Sequence, residues 1–177
     1  MSIIVCYRRY LLLRITLNLN TKIYTMKNII EGSDLMIFAE IGTGSTPVSL
    51  AFATNCTLSI STETTSVTSK DHGTALWNTS TIKSLSWEAT SENLYSDEVN
   101  NGYDALFEKM TNREEVTLYF VVKSDTAFSD QTDSWAKGAG GYTGKAFVTS
   151  LSATATNGET ATFSCTFTGN GELKKAE

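Results

Sequence analysis

The chain has 177 residues, enough for one domain that buries a hydrophobic core without disulfide bonds. Its net charge of −5 is uneven, because residues 1–25 carry a charge of +4, which leaves −9 on the remaining residues. A body this acidic is not expected to bind nucleic acid tightly over most of its surface. The single histidine and the three cysteines share no metal-ligand spacing, so the sequence predicts no metal site and no cofactor.

The residue usage is typical of a β protein. Serine, threonine and aromatic residues are abundant, and Pro47 is the only proline. Three cysteines without a paired spacing favour a reducing compartment. Two of them, Cys56 and Cys165, fall on apolar faces of predicted strands, so we expect them to be buried as small hydrophobic side chains.

Residues 1–25 differ in character from the rest of the chain. Their apolar stretch is interrupted by arginines, lacks a small-residue cleavage site and is too short and too charged to span a membrane. An ordinary soluble amino terminus begins at Met26. We therefore predict that residues 1–25 are an extension outside the domain, produced by an upstream start assignment, and that residues 26–177 form a single domain. A flexible basic arm and an atypical signal peptide are the alternatives.

Short strands separated by turns are predicted from residue 35 onward. Residues 35–41 are apolar enough for a strand buried on both faces, and residues 47–53 form the next predicted strand. Between them, the Gly-Thr-Gly of residues 42–44 is read as a turn, since neither the lysine nor the helix of a phosphate-binding loop follows. Residues 56–60 alternate between apolar and polar, which predicts a half-buried strand.

The segment 62–81 is polar and rich in threonine, and a loop of this length is usually functional or disordered. Asp71 and His72 are adjacent on a predicted turn and no nucleophile motif accompanies them, which disfavours general-base chemistry. Leu76 and Trp77 have little around them that could bury them locally. We therefore predict an assembly arm, mobile in the free subunit and ordered between subunits, with His72, Leu76 and Trp77 at the interface.

The hydrophobic period changes from two to about three and a half after Ser96, which predicts a helix. Ser96 is the expected cap, and the charges of the first and last turns agree with the helix dipole. Alternating strands are predicted on both sides, over residues 84–90 and 116–123, so we expect the helix to cover one end or face of a β core. The helix stripe expected to pack in that core consists of Val99, Tyr103, Leu106, Phe107 and Met110.

A second polar segment, residues 124–141, is predicted to be a solvated loop whose acidic residues do not match a calcium-binding loop. Trp135 is its one residue suited to a contact, and we add it to the predicted assembly interface.

The end of the chain has the clearest hairpin pattern. Phe147, Leu151 and Ala153 are predicted to share one face, and Asn157 and Gly158 supply a two-residue turn. Residues 161–167 then alternate as the second strand. Glycines end that strand at 169–171, and residues 172–177 are predicted to be a short charged tail.

In their order and in their local sequence, these elements resemble the major tail tube proteins of long-tailed, siphovirus-type bacteriophages. The resemblance covers about residues 26–173. It is carried by a polar hairpin with a K-D-H-G turn and by the segments SLSWEAT, GYDALFEKM, EVTLYFVV and YTGKAFVTSLSATATNGETATFSCTFTGNGEL. It implies a mainly β fold, an antiparallel β-sandwich or small barrel with one flanking α-helix, and no catalytic residues.

The resemblance also implies a virion structural protein that self-assembles into hexameric rings, which stack into the tail tube used for genome ejection. The implied partners are further copies of the chain and the tape-measure, tail terminator and baseplate proteins. Double-stranded DNA passes through without specific binding, and no membrane is involved. The implied location is the virion tail, assembled in the bacterial host cytoplasm. In such proteins the long hairpin reaches toward neighbouring subunits. The basic residues 1–25 have no counterpart, and residues 124–141 are less recognisable.

Two other classes compete with this interpretation. An extracellular β-sandwich module for carbohydrate binding or adhesion would use an aromatic platform such as Trp77 and Trp135, but it would need a credible export signal. An enzyme is disfavoured, because one histidine and scattered acids do not form a set of nucleophile, base and orienting group.

Overall fold

The computed structural model describes residues 29–41, 46–67, 79–96, 101–124 and 134–176. These residues form eight β-strands and one α-helix. In chain order they are β1 (Leu35–Ala39), β2 (Val48–Ser49), β3 (Ala53–Val67), β4 (Thr79–Leu94), α1 (Tyr103–Thr111), β5 (Val116–Val122), β6 (Tyr142–Thr154), β7 (Thr162–Gly169) and β8 (Lys174–Lys175).

All the strands pair antiparallel in one sheet, in the order β2-β1-β5-β6-β7-β4-β3, and β8 pairs with β6. The predicted fold class, mainly β with one flanking helix, is confirmed. A single curved sheet supplies both layers, because Ile37 of β1 and Leu58 of β3 line the same internal space beside Trp87. The sheet does not close into a barrel, since β2 and β3 remain its two ends.

Trp87 on β4 anchors the core. Its indole lies over Gly144 of β6 and Gly169 of β7, where any side chain at either glycine would overlap the ring. The indole Nε1–H donates a hydrogen bond to the carbonyl oxygen of Gly171, at 3.0 Å. Buried aromatic and aliphatic side chains surround it, including Phe167.

The alternation predicted for β7 places its expected face inside. In β4 it holds for Trp87 and Ala89 but not for Leu85, which is exposed, and in β5 Val121 is buried on the opposite face as well.

The helix begins later than the sequence predicts. It starts at Tyr103 with Gly102 at the N-cap and no side-chain cap, so the cap predicted at Ser96 is wrong. Asn101 explains the difference, because its Nδ2 donates to the Ser49 carbonyl at 2.6 Å and its own carbonyl accepts the backbone N–H of Ala51. These bonds tie the chain to the β2 region before the helix can start.

Only part of the predicted helix stripe is buried. Leu106 is fully buried, and the ring of Tyr103 packs against Phe163. Phe107 and Met110, however, are 51% and 38% exposed, so the expectation that they belong to the core is wrong. Leu106 and Tyr103 lie on the side of the helix that packs against the sheet, whereas Phe107 and Met110 lie on the side that faces solvent. Val99 lies outside the described residues.

Two predicted strand details also differ from the structure. The strand predicted over residues 47–53 is reduced to β2, because Ala51 and Phe52 form a turn in which Phe52 has a φ of +51°. In β6, Ala146 and Val148 point inward, so Phe147 lies on the outer face and the prediction that it shares a face with Leu151 is wrong. A bulge at Thr149 then returns Leu151 to the inner face, opposite Cys165.

The last hairpin turns where the sequence predicts, but less tightly. Gly158 has a φ of +86°, and the Glu159 N–H donates to the Thr156 carbonyl, which closes a turn around residues 157–158. Strand pairing stops at Thr154 and Thr162, so the connection is longer than a two-residue loop. The predicted charged tail is wrong in part, because β8 pairs with β6 and Leu173 packs against the core.

Cys165 is buried, as the sequence predicts, whereas Cys56 is only partly buried; both are free thiols. Burial raises the pKa of the Cys165 thiol to about 12, with a smaller contribution from Cys56. This thiol is therefore unreactive near neutral pH. Among the described residues, no helix is long and apolar enough to cross a membrane.

Candidate assembly surfaces

Of the four residues predicted for the assembly interface, only one can be placed. His72, Leu76 and Trp77 lie outside the described residues. Trp135 contacts its own subunit: its backbone N–H donates to Ser49 Oγ at 3.0 Å, and the Lys123 ammonium lies 4.4 Å from its ring centroid. The solvated loop predicted around Trp135 is thus wrong for residues 134–138, which also bond to β5 through the Gly138 N–H and the Val122 carbonyl.

The segment predicted as a polar loop, residues 62–81, is strand wherever the structure describes it. β3 and β4 pair continuously from Ala53 and Asn93 to Val67 and Thr79. β4 pairs with β7 only from Glu88 to Leu94, so the hairpin has no third strand beyond that point among the described residues. We call residues 60–67 and 79–86 the projecting hairpin.

One face of the projecting hairpin is apolar and exposed. Ile60, Ile82 and Leu85 are 58%, 67% and 70% exposed. The strand register places them on the same face as Trp87, because Ile60 pairs with Trp87, Thr62 with Leu85 and Thr64 with Ile82. We call these three residues the apolar stripe. Exposed apolar groups concentrated on one face mark a contact surface.

A groove of about 550 Å³ adjoins the apolar stripe. Ile60 and Leu85 form one wall, and Tyr142 and Leu173 contribute to the other, with Trp87 between them. The sequence pattern includes Ile60 and Leu85 in the inward-facing sets, so it predicts burial for both. The sequence gives no signal for the point along β3 and β4 at which the strands that cover this face end.

The opposite face of the projecting hairpin is polar, and side-chain hydrogen bonds join its two strands there. Glu63 accepts hydrogen bonds from the Lys83 ammonium at 2.8 Å and from the Ser84 hydroxyl at 3.0 Å. These two bonds lower the pKa of the Glu63 carboxyl, the larger contribution coming from Lys83. The pair is exposed and worth little free energy, but it sits at the register shift between Glu63 and Thr64 and helps to define it.

Two strand edges lack a partner in the described part of the chain. β3 pairs only with β4, which leaves its other edge free; we call this the β3 edge. β6 pairs with β5 only over Tyr142–Ala146, because β5 begins at Val116 opposite Ala146. Residues 147–154 are therefore paired with β7 on one side only, and we call their free side the β6 edge.

An open antiparallel sheet with free edges and a projecting apolar hairpin is typical of subunits that assemble by joining their sheets. The fold and its surfaces therefore define a self-assembling structural protein. Residues 29–175 match the phage tail tube protein family, and the chain belongs to that family. It is a structural component of a virion tail tube and not an enzyme.

Solved structures agree with this fold at low sequence identity. The tail of an empty gene transfer agent particle, computed with C6 symmetry, has a TM-score of 0.62 and 16% identity and covers 84% of this chain and 100% of that one. The SPP1 tail tube has a TM-score of 0.52 and 15% identity, covering 84% and 80%. The baseplate of the anti-feeding prophage has a TM-score of 0.57 and 9% identity, covering 85% and 97%. No curated protein matches the chain in a sequence comparison.

Proposed function

We propose that six copies of residues 26–177, as a single domain, close into a ring, and that such rings stack into the tail tube that conducts the genome during ejection. Membership of the tail tube family supports the tube, and the sixfold symmetry of the similar gene transfer agent tail supports the ring size. The observation that carries the proposal is the pair of free edges on one four-stranded half of the sheet, β6-β7-β4-β3.

The β3 edge of one copy pairs with the β6 edge of the next copy in this proposal. The two edges differ, so the contact is head-to-tail and repeats around a ring until the last copy meets the first. Closure satisfies the free backbone groups of both edges and removes the hazard that an open edge presents. β4 and β7 need no new partner, because each already lies between two strands.

The projecting hairpin makes the contact between rings. Its apolar stripe is exposed in the subunit, so burying it against a copy in the adjacent ring is favourable. The groove beside the stripe accepts the hairpin end of that copy, where Leu76 and Trp77 supply the apolar groups and His72 shares the contact. Trp135 presents the part of its ring that remains exposed to a neighbouring copy.

Further partners follow from the position of a tube in a virion. The tube encloses a tape-measure protein, ends at a tail terminator and joins a baseplate, and a similar fold occurs in the anti-feeding prophage baseplate. Double-stranded DNA passes through the tube without specific binding. Assembly takes place in the cytoplasm of the bacterial host.

Hydrogen exchange tests the ring. In the free subunit, about half of the amides of an edge strand point away from its partner and exchange quickly. Peptides covering residues 53–61 and 147–154 should therefore slow markedly when tubes form, whereas β7 should be protected in both states. Electron microscopy of the concentrated protein should show rings or tubes of uniform bore. A strictly monomeric protein, or tubes in which both edges keep their subunit exchange rates, would contradict the proposal.

Two substitutions test the contact between rings. Leu85→Ser and Trp77→Ala should each leave a folded, soluble subunit but slow tube growth at least tenfold, because each removes an apolar side chain that the proposal places in the contact between rings. Phe107→Ala, which truncates an exposed apolar side chain on α1, away from the stripe and from both free edges, is the matched control. Normal tube growth by both variants would show that the hairpin makes no such contact.

A further inference from the structure

A second exposed apolar surface lies at the end of the subunit opposite the projecting hairpin. Phe52 directly precedes β3, Leu94 is the last residue of β4 and Tyr95 follows it. Their exposed fractions are 49%, 37% and 37%. We call these three residues the end patch. Exposed apolar groups that lie together mark a contact surface.

Backbone hydrogen bonds and ring contacts fix the end patch to the rest of the subunit. The Leu94 N–H donates to the Phe52 carbonyl at 3.1 Å, and the Tyr95 N–H donates to the Ala161 carbonyl at 2.9 Å. The centroid of the Tyr95 ring also lies 5.4 Å from that of Tyr103 on α1. The end patch is therefore a preformed surface, joined to β3, β4 and α1.

Phe52 occupies an unfavourable backbone conformation. Its φ is +51°, in a region where a bulky side chain is a genuine outlier and where glycine lies without strain. Strained residues of this kind persist where the surrounding structure holds them, and they concentrate at functional sites. The half of the ring that stays exposed gains nothing from the core of its own subunit. A contact with another molecule would account for a phenylalanine at this position.

We infer that the end patch receives the projecting hairpin of a copy in the next ring, with Ile82 of that hairpin packed against Phe52. This inference rests on the proposed stack of rings and names the surface that the hairpin meets. Identical rings that repeat along a tube present one end to the opposite end of the next ring. The hairpin projects from one end of the subunit, so the surface that it meets first lies at the other end.

Ile82 is the member of the apolar stripe that suits this contact. It is 67% exposed and does not line the groove, whereas Ile60 and Leu85 do. Its partner Thr64 lies four residues beyond Ile60 along β3, so Ile82 is also the member furthest from the core. Packing Ile82 on Phe52 removes apolar surface from water and desolvates no charge.

The two contacts of the hairpin do not compete. Leu76 and Trp77 precede Ile82 in the chain and lie nearer the hairpin end. One hairpin therefore passes the end patch of the receiving copy with Ile82 and continues toward the groove of that copy with Leu76 and Trp77.

Cross-linking of assembled tubes tests the contact. Phe52→Cys and Ile82→Cys in one chain place two thiols about 40 Å apart along β3, because Ile82 pairs with Thr64. A short bismaleimide, which joins two nearby thiols, therefore cannot bridge them within one copy. In tubes it should join copies of successive rings into a ladder longer than six subunits on a denaturing gel.

The matched control replaces the end-patch thiol by one on another exposed ring position. Phe107→Cys with Ile82→Cys places the first thiol on α1, at a residue that is 51% exposed against 49% for Phe52. This variant should give no ladder beyond the background of the natural cysteines, which parent tubes measure.

The outcomes separate this contact from the tube itself. Normal tubes without a ladder, with a ladder that ends at six subunits, or with an equal ladder from the control would overturn the end-patch contact and leave the proposed rings intact. A folded end-patch variant that forms no tubes, beside normal tubes of the control, would support the contact, because the two differ only at the first thiol. A parent chain that forms no tubes would overturn both proposals.

A second variant separates assembly from folding. Phe52→Gly removes the ring and relieves the positive φ, so the subunit should unfold at about the same urea concentration as the parent. Tube growth should slow at least tenfold, whereas Phe107→Ala should grow at the parent rate. A clear loss of stability would show that the Phe52 ring serves its own subunit, and growth at the parent rate would show that it makes no contact between rings. Either result overturns the inference.

Discussion

The two ends of the β3–β4 hairpin have the same alternation of apolar and polar residues, but the apolar side chains are buried at one end and exposed at the other. Near the core, Leu58 and Trp87 are packed under β1 and β5. Further out, Ile60 and Leu85 occupy the same face of the same strands and are exposed. Alternation thus identifies which face of a strand is apolar, but whether that face is buried in the subunit depends on a second layer supplied by distant parts of the chain. In this protein the apolar face extends beyond the second layer, and its outer part is exposed in the subunit.

The largest expected effect separates these two ends directly. Trp87→Ala removes a buried indole, its hydrogen bond to Gly171 and its packing on two glycines, and should lower the free energy of unfolding by about 3–5 kcal/mol. Leu85→Ala, two residues along the same face, should change it by less than about 1 kcal/mol. Urea unfolding of both variants provides the comparison. Equal losses would mean that the covering layer extends further out than the structure shows.

The same contrast exists within one turn of α1. Leu106→Ala should cost about 2–5 kcal/mol, because the side chain is completely buried, whereas Phe107→Ala should cost less than about 1 kcal/mol. Thermal and urea unfolding of the two variants measure the difference. A large loss for Phe107→Ala would restore the sequence-based expectation that the whole stripe is core.

A smaller effect is expected from removing the amino-terminal extension. The protein that begins at Met26 should have the same free energy of unfolding as the full chain, within about 1 kcal/mol. The reason is that residues 1–25 differ in composition and charge from the domain that follows them. Unfolding curves of the two forms at the same pH and salt concentration make the test. A loss above about 2 kcal/mol would show that residues 1–25 pack on the domain.

The smallest expected effect concerns pH. Hydrogen bonds from Asn170, and secondly from Lys145, lower the pKa of the Glu115 carboxyl below its ordinary value of 4.5. A lowered pKa in the folded state stabilises the fold above pH 4.5, and this stabilisation is lost as the pH falls through the lowered value. Glu115→Gln should therefore be slightly less stable than the parent at pH 6, and this difference in the free energy of unfolding should shrink as the pH falls below 4.5. A constant difference between pH 6 and pH 3 would show that the carboxylate contributes no pH dependence.

Much of this fold could be predicted from the local pattern of apolar, polar and turn residues in the sequence. The alternation of Val116 and Leu118, or of Phe163 and Cys165, identifies strands and their inward faces, because side chains in a strand point alternately to its two sides. The turn at Gly158 follows equally from local chemistry, since glycine adopts a positive φ without strain. Composition and charge also disfavoured a metal site and an enzyme, and the order of the elements was enough to suggest the family.

Other features were decided only by the tertiary structure. The helix starts at Tyr103 because Asn101 bonds to Ser49, fifty-two positions away, and Phe147 faces outward because the bulge at Thr149 lies after it. Neither the packing of residues 134–138 against β2 and β5 nor the exposure of the apolar stripe has a local signature. Each depends on which distant strand lies above it, and periodicity records only the apolar side of a strand, not what covers it.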